Sequence, residues 1–458
     1  MSLVTGLAFW SATVTSPALA QSATAPMAMA DRLEQIAQQL QELKEQNERL
    51  QAEVEYLKSN ALAARKDAAN ETVKVDTLAS TASVAASKYM WSGDFRIRRE
   101  LIDAEENVTG RARDRMRLRF GVLAKVNDKI NAKIQLSTAT AGNDSFRSTN
   151  QTFGTGLDHK PLTIDLAYVD WKATDTLNLV LGKQPIPWTT TVSYLFDKDL
   201  TPEGAALKWV RGPIFGGIYY TDLNERDSAT SSAASTDANM VAAQLGIKKT
   251  TGKYTWTGAL GYFDVNAVKD RIASGAGTGC TIDGAFGSGQ GAGNNAFGNT
   301  TYTGAAPGVG SSAVCTRLLN DYNLIEALGQ VEFAIGKYPF SAFVDYMKNN
   351  AVTSTANKQD AALAAGFLLN KASAARSWEL GVVYQKTEKD AQFGQFHDSD
   401  FGGGVTDNKG YVLKAAYVPY TSWTMNAQYI VTDRFVDSND SVATRSYKRL
   451  QLDLNFKY

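Results

Sequence analysis

"RDRMRLRFGV", residues 113–122, places arginine at every second position: Arg113, Arg115, Arg117 and Arg119. A helix turning once per about 3.6 residues would scatter these side chains around its cylinder. A strand has a period of two and collects them on one face. The opposite face is then Met116, Leu118, Phe120, Val122, Ala124 and Val126. A soluble sandwich would turn such an arginine row to bulk water. A membrane-spanning barrel would turn it into a wet lumen and give the apolar row to lipid. The neighbouring segments distinguish the two.

Upstream, "YMWSGDFRIRREL" (residues 89–101) alternates in the same way. Tyr89, Trp91, Gly93, Phe95 and Ile97 take one side, and Asp94, Arg96, Arg98 and Glu100 the other. As the hairpin partner of 113–126, it would stand Arg96 and Arg98 beside the other arginines, where water and acidic neighbours screen them. Arg99 breaks the apolar face and is expected at the rim, its long stem carrying the charge to lipid head groups. The chain ends "YKRLQLDLNFKY" (residues 447–458), with Leu450, Leu452, Leu454, Phe456 and Tyr458 opposite Arg449, Gln451, Asp453, Asn455 and Lys457. An amphipathic last strand closing on an aromatic residue resembles the terminal signal of outer-membrane barrel proteins.

Alternation predicts strands near 89–102, 113–126, 130–139, 162–172, 177–185, 205–210, 214–221, 239–248, 253–264, 321–333, 338–348, 360–369, 377–386, 410–418, 422–432 and 446–458. That is about 16 strands, within the usual even-numbered range for a bacterial barrel. Short links ("NDK" at 127–129, "ATDT" at 173–176, "RGP" at 211–213, "TTG" at 250–252, "VPYT" at 418–421) alternate with long ones near 103–112, 140–161, 186–204, 222–238, 265–320, 349–359, 387–409 and 433–445. Strict alternation puts every long loop on one side, as in outer-membrane barrels with short periplasmic turns. Soluble sandwiches have no such requirement. Trp91, Trp256, Tyr262, Trp378, Tyr384, Tyr411 and Trp423 fall near strand ends and suit two interfacial girdles.

The 458 residues carry 47 basic and 47 acidic side chains, a net charge of zero. This balance argues against a general nucleic-acid binder. Residues 1–20 read as a signal peptide, with an apolar core, Pro17, and Ala18-Leu19-Ala20 before Gln21, although the basic residue usual ahead of the core is missing. Residues 21–58 hold a coiled coil. Leu33, Leu40, Asn47 and Val54 fall at a positions and Ile36, Leu43, Leu50 and Leu57 at d positions, with Asn47 fixing register and the number of strands open. Residues 59–87 are expected to be a linker, and 88–458 the barrel.

Cys280 and Cys315 lie in one Gly/Ser/Ala-rich insertion, and in an exported chain they are expected to form a disulfide. His159 and His397 are the only histidines, no four-ligand spacing is present, and no metal or cofactor is expected. "FGQFHDSDFGGGV" (residues 393–405) groups His397, Asp398 and Asp400, but a solvated outer loop without chemistry is the expectation. The glycine repeats between Ser274 and Gly310 do not follow a strand and open a helix, so they are no dinucleotide fingerprint. No nucleophile–base constellation stands out, and the chain is not expected to be an enzyme.

"SYLFDKDLTPEGAALKW" (residues 193–209) runs out of the third long loop. If that loop folds inward, as in general porins, Asp197, Asp199 and Glu203 would confront the arginine row. Opposed charges across a narrow lumen set up a transverse field that filters ions.

Together "DFRIRREL", "RDRMRLRFG", "LGKQPIPW" and "LFDKDLTPEGAAL", with the exported N-terminus and the heptads, resemble a proteobacterial family of putative porins over nearly the whole mature chain. The chain also looks like trimeric channels for phosphate and dicarboxylates. The resemblance implies a 16-stranded homotrimeric barrel in outer-membrane lipid and lipopolysaccharide, with the coiled coil in the periplasm. It implies passive diffusion of small hydrophilic solutes or anions past a basic wall of Arg96, Arg98, Arg113, Arg115, Arg117 and Arg119 and a constriction loop bearing Asp197, Asp199 and Glu203. Two alternatives are a substrate-specific anion or dicarboxylate channel, and a structural tether whose coiled coil binds a periplasmic partner.

Overall fold

The computed structural model describes residues 29–105, 107, 109–139, 146–154, 156–157, 159–225, 236–274, 280, 296–305, 314–353, 358–436 and 443–458. A helix, α1 (Met29–Lys88), is followed by strands β1 (Tyr89–Ala104), β2 (Arg111–Lys125), β3 (Ile130–Thr138), β4 (Gln151–Thr152), β5 (Leu162–Lys172), β6 (Leu177–Lys183), β7 (Glu203–Arg211), β8 (Ile214–Asn224), β9 (Ala238–Thr251) and β10 (Tyr254–Asn266). Then come β11 (Ile272–Ser274), β12 (Thr301–Ala305), β13 (Val314–Leu318), β14 (Tyr322–Ile335), β15 (Tyr338–Asn349), β16 (Ala361–Leu369), β17 (Trp378–Thr387), β18 (Asn408–Tyr420), β19 (Trp423–Arg434) and β20 (Arg445–Lys457).

Sixteen of these strands form a closed antiparallel barrel, each paired with its chain neighbour and β1 closing on β20. All sixteen expected strands are present. β4 only caps β2, and β11, β12 and β13 form a separate small sheet in the connection between β10 and β14. That sheet carries Cys315, which is bridged to Cys280 as expected. The tight hairpins turn on Gly212, Gly252 and Gly336, each near φ +60°, where a side chain would be strained.

The seam rests on the last residue. Gly93 and Tyr458 exchange backbone hydrogen bonds of 3.0 and 3.2 Å, and the Tyr458 hydroxyl donates to the Arg119 carbonyl at 3.0 Å. A Cβ on Gly93 would collide with the Arg119 carbonyl and stand 2.6 Å from the Tyr458 ring, so the closing aromatic requires glycine opposite it.

Outside, the strands expose one parity of large apolar residues, among them Ile97, Phe120, Ile134, Leu181, Ile218, Leu260, Val344 and Leu452. Near the short turns Tyr254, Phe333, Phe340 and Phe367 form a chain of ring contacts 5.0–5.8 Å apart, and Tyr420, Trp423 and Phe456 form another at 5.7 Å. These are the aromatic girdle of a lipid-embedded barrel. Arg99 does not stand alone at the rim: it lies opposite Asp114 on the outer face and pairs with it at 2.6 Å.

One strand changes face midway. Between β3 and β5 the register slips, with Gln135 opposite Leu166 and Leu136 opposite Ile164. This bulge at Asp165 lets Ile164 face outward on one side of it and Val169 and Trp171 on the other, although their numbers differ in parity.

In α1, Leu33, Ile36, Leu40, Leu43, Leu50, Val54 and Leu57 are between 48% and 64% exposed. The helix runs unbroken to Lys88, through residues 59–87, the stretch expected as a linker. Its alanine-rich composition favours helix.

Candidate functional site

The interior polar wall is built by three adjacent strands. β1 and β2 place Asp94 opposite Arg119, Arg96 opposite Arg117, Arg98 opposite Arg115, and Glu100 opposite Arg113. On the other flank of β1, β20 places Asn455 opposite Arg96, Asp453 opposite Arg98 and Gln451 opposite Glu100. Like charges directly across a ladder repel. Here carboxylates inserted at the next inward positions offset them.

Arg98 is held along one edge by Asp453, with Nε to Oδ1 at 2.7 Å and Nη2 to Oδ2 at 2.8 Å, a bidentate fork. Arg117 and Arg119 share Asp94, at 2.7 and 2.6 Å. Glu100, with no exposed surface, gathers Arg98 at 3.4 Å, Arg115 at 3.5 Å, Arg449 at 2.8 Å and the Arg113 Nε. Arg115 also donates to Ser148 and to the Asn150 carbonyl, and Arg96 to Asn455. The six arginines singled out in the sequence thus stand together, each with polar or acidic partners. Arg449, Asp94, Glu100 and Asp453 complete the wall. Their inward parity was readable in the first and last strands, but their role as counter-ions and shared partners was not.

Opposite this wall lies the connection 184–202. It leaves β6, crosses the lumen and meets strands on the far side. The Tyr194 amide donates to Gln385 of β17 and its hydroxyl to Gln428 of β19, both at 2.9 Å. Thr191 and Ser193 hydroxyls donate to buried Asp345 of β15 at 2.8 and 2.9 Å. Gln244 of β9 exchanges two hydrogen bonds with the Thr189 backbone. Trp188, Leu195 and Phe196 pack against Tyr219, Met240 and Phe263 of the wall, the Trp188 ring 5.3 Å from those of Phe196 and Phe263. The loop turns inward because its apolar side chains find a greasy patch on the interior face of β8–β10.

The three acidic residues expected on this loop part company. Asp199 comes within 4.0 Å of Arg117 and does face the arginines. Asp197 is buried instead, accepting from the Asp199 and Ser399 amides at 2.8 Å; burial and neighbouring Asp398 hold its carboxyl well above the usual range. Glu203 is the first residue of β7, exposed, on the same parity as outward-facing Leu207, and paired with Lys183 at 2.9 Å. It does not confront the arginine row. The strand begins two residues earlier than its alternation indicates, which takes Glu203 out of the loop.

The segment 388–407, which contains the 393–405 stretch expected as a solvated outer loop, is also folded inward. His397 is fully buried between Gln392 and Asn408, and burial, then the charge of Arg147, lowers its imidazole pKa to about 3. Buried Arg147 donates to the carbonyls of Gly394, His397 and Gly404 and lies 4.1 Å from the centre of the Phe297 ring. Asp400 reaches the wall, 2.8 Å from Arg449 and 3.4 Å from Arg98. Apolar spacing in this segment is irregular, so nothing in the sequence announced its burial except the density of phenylalanine and glycine. Among the described residues, no group of histidine, cysteine and carboxylate side chains has a metal-binding arrangement.

A protein-family profile described as "Putative porin" matches residues 49–458. No curated protein sequence matches the chain significantly. Among solved structures, one titled "High pH structure of Pseudomonas putida OprB" superposes with a TM-score of 0.52 at 11% identity, covering 84% of this chain and 97% of that one. The trimer form of OmpT, an outer membrane protein of Vibrio cholerae, gives a TM-score of 0.42 at 12% identity, covering 81% and 99%. At such identity the OprB likeness is one of fold.

Proposed function

Because this chain belongs to the putative porin family, we propose that its outer-membrane barrel is a water-filled channel for passive diffusion of small hydrophilic solutes and ions. The observation that carries the reading is the crossing of 184–202 over the lumen, with Asp199 of the loop 4.0 Å from Arg117 of the wall. The narrowest passage then runs between this loop and Arg96, Arg98, Arg113, Arg115, Arg117 and Arg119. Cationic groups exceed anionic ones at that wall, which favours anions modestly.

The test is single-channel recording in a planar bilayer under a potassium chloride gradient. Wild type is expected to give large ohmic steps with an anion-side reversal potential, and Arg115→Ala/Arg117→Ala to shift that potential toward the cation side. Steps with unchanged selectivity would remove these arginines from the constriction.

The exposed heptad stripe supports a second element. Apolar a and d residues left in water are stabilised by association, so residues 21–58 act as a periplasmic coiled coil that helps assemble a homotrimer. Residues 1–20 are the cleaved signal, and lipid and lipopolysaccharide surround the apolar belt. Replacing Leu40, Leu43 and Leu50 by lysine is expected to shift the detergent-solubilised protein from trimer to monomer in native mass measurements, with the conductance per pore unchanged. A trimer that persists assembles through the barrel alone.

A further inference from the structure

The cluster around Glu100 contains one member that does not come from a barrel strand. Arg98 and Glu100 belong to β1, Arg113 and Arg115 to β2, Arg449 and Asp453 to β20, whereas Asp400 is delivered by the inward-folded segment 388–407. Its carboxylate presents one oxygen to Arg449 Nη2 at 2.8 Å and the other to Arg98 Nη1 at 3.4 Å, the geometry in which two guanidinium groups take a free carboxylate or phosphate.

Three observations set this contact apart from the strand-to-strand pairs. The first is exposure: the Asp400 side chain keeps 20%, against 0% for Glu100, 9% for Asp453, 8% for Arg98 and 4% for Arg449. A solute can therefore reach it. The second is attachment. Asp400 sits in a turn capped by Asp398, whose Oδ1 accepts from the Asp400 and Phe401 amides at 2.9 and 3.1 Å, and Phe401 is anchored on the Tyr194 ring 5.7 Å away. The carboxylate can swing out by side-chain rotation while the backbone stays fixed. The third is charge. Arg96, Arg98, Arg113, Arg115 and Arg449 are five cations facing Glu100, Asp453 and Asp400. Once Asp400 leaves, five cations face two carboxylates, and a dianion brings the surplus down to one. Buried Arg115 Nε and Arg449 Nε make no hydrogen bond among the described residues, so the cluster retains unused donors.

We propose that Arg98 and Arg449 form a binding site for a dianionic carboxylate- or phosphate-bearing solute, and that Asp400 is its tethered resident, which the solute displaces. This rests on the channel reading only for the route by which the solute arrives; the site itself is testable without conduction. Asp400 acts as an internal competitor: it weakens capture, so the solute is held briefly and released.

The test is calorimetric titration of the folded, detergent-solubilised full chain with succinate and, separately, inorganic phosphate. Asp400→Asn keeps the turn and removes the competing charge. It is expected to bind at least one probe about tenfold more tightly than wild type. Asp400→Glu restores a carboxylate and is expected to return the affinity toward the wild-type value, a response that a purely structural role for Asp400 would not give. Tightening for one probe alone identifies the solute class. Equal affinity in wild type and Asp400→Asn, or no binding of either probe to either protein, overturns the proposal. If bilayers stay silent while the Asp400→Asn gain is measured, the channel reading fails and the anion site stands.

Discussion

Glu100→Ala is expected to cost the barrel about 3–5 kcal/mol, read as a lower urea midpoint of the lipid-reconstituted protein. Glu100 has no exposed surface and is the common partner of Arg98, Arg113, Arg115 and Arg449, with Gln451 donating to it at 3.3 Å. Removing it leaves four guanidinium groups crowded at the β1–β2–β20 junction, which is also where the barrel closes. Each would have lost a carboxylate and gained a repulsion. Glu100→Gln keeps an acceptor but no charge, and is expected to fall between alanine and wild type. The outer-face pair Arg99–Asp114 is the control: both partners are nearly half exposed, and Asp114→Ala is expected to change stability by only about 0–1 kcal/mol. A Glu100→Ala barrel as stable as wild type would mean that lumenal water, and not Glu100, neutralises the arginines.

Deleting residues 190–199 is expected to raise single-channel conductance severalfold and to leave a stable barrel. The segment spans the lumen from β6 to β17 and β19, and nothing in the closed strand order depends on it. It is nevertheless firmly seated. Tyr194, Leu195 and Phe196 are almost fully buried, and burial of a large apolar side chain contributes about 1.5–3 kcal/mol. The hydroxyls on Asp345 and the amides on Gln244 and Gln385 add direction. Such anchoring argues for a fixed constriction, so the wild-type current should be steady. An unchanged conductance in the deletion would place the narrowest point elsewhere, with 388–407 as the next segment to remove.

Strand parity explains which parts of this molecule were readable. Arg96, Arg98 and the four arginines of residues 113–119 share one face by simple alternation, and the structure finds them paired in register. Alternation alone could not set the facing of Ile164–Trp171, because the bulge at Asp165 inserts one residue and reverses inside and outside. It failed at Glu203 for a related reason: the strand starts earlier than its alternation indicates, and one residue decides whether a carboxylate faces a loop, the lumen or the outside.

The fold was determined by the sequence itself: sixteen alternating segments, loops long and short in turn, and a terminal aromatic strand, each a local pattern set by the two-residue period and by lipid outside and water within. The paired cysteines were equally local, since both lie in one connection. What only tertiary structure decided is the lumen. Whether 184–202 and 388–407 fold inward depends on apolar patches contributed by strands far away in the chain. Whether an arginine is a bare charge or a neutralised one depends on which carboxylate arrives beside it. Asp400 lies 302 residues from Arg98 and no spacing rule links them; the contact exists because a closed barrel leaves an inward-turned loop very few places to put a charge.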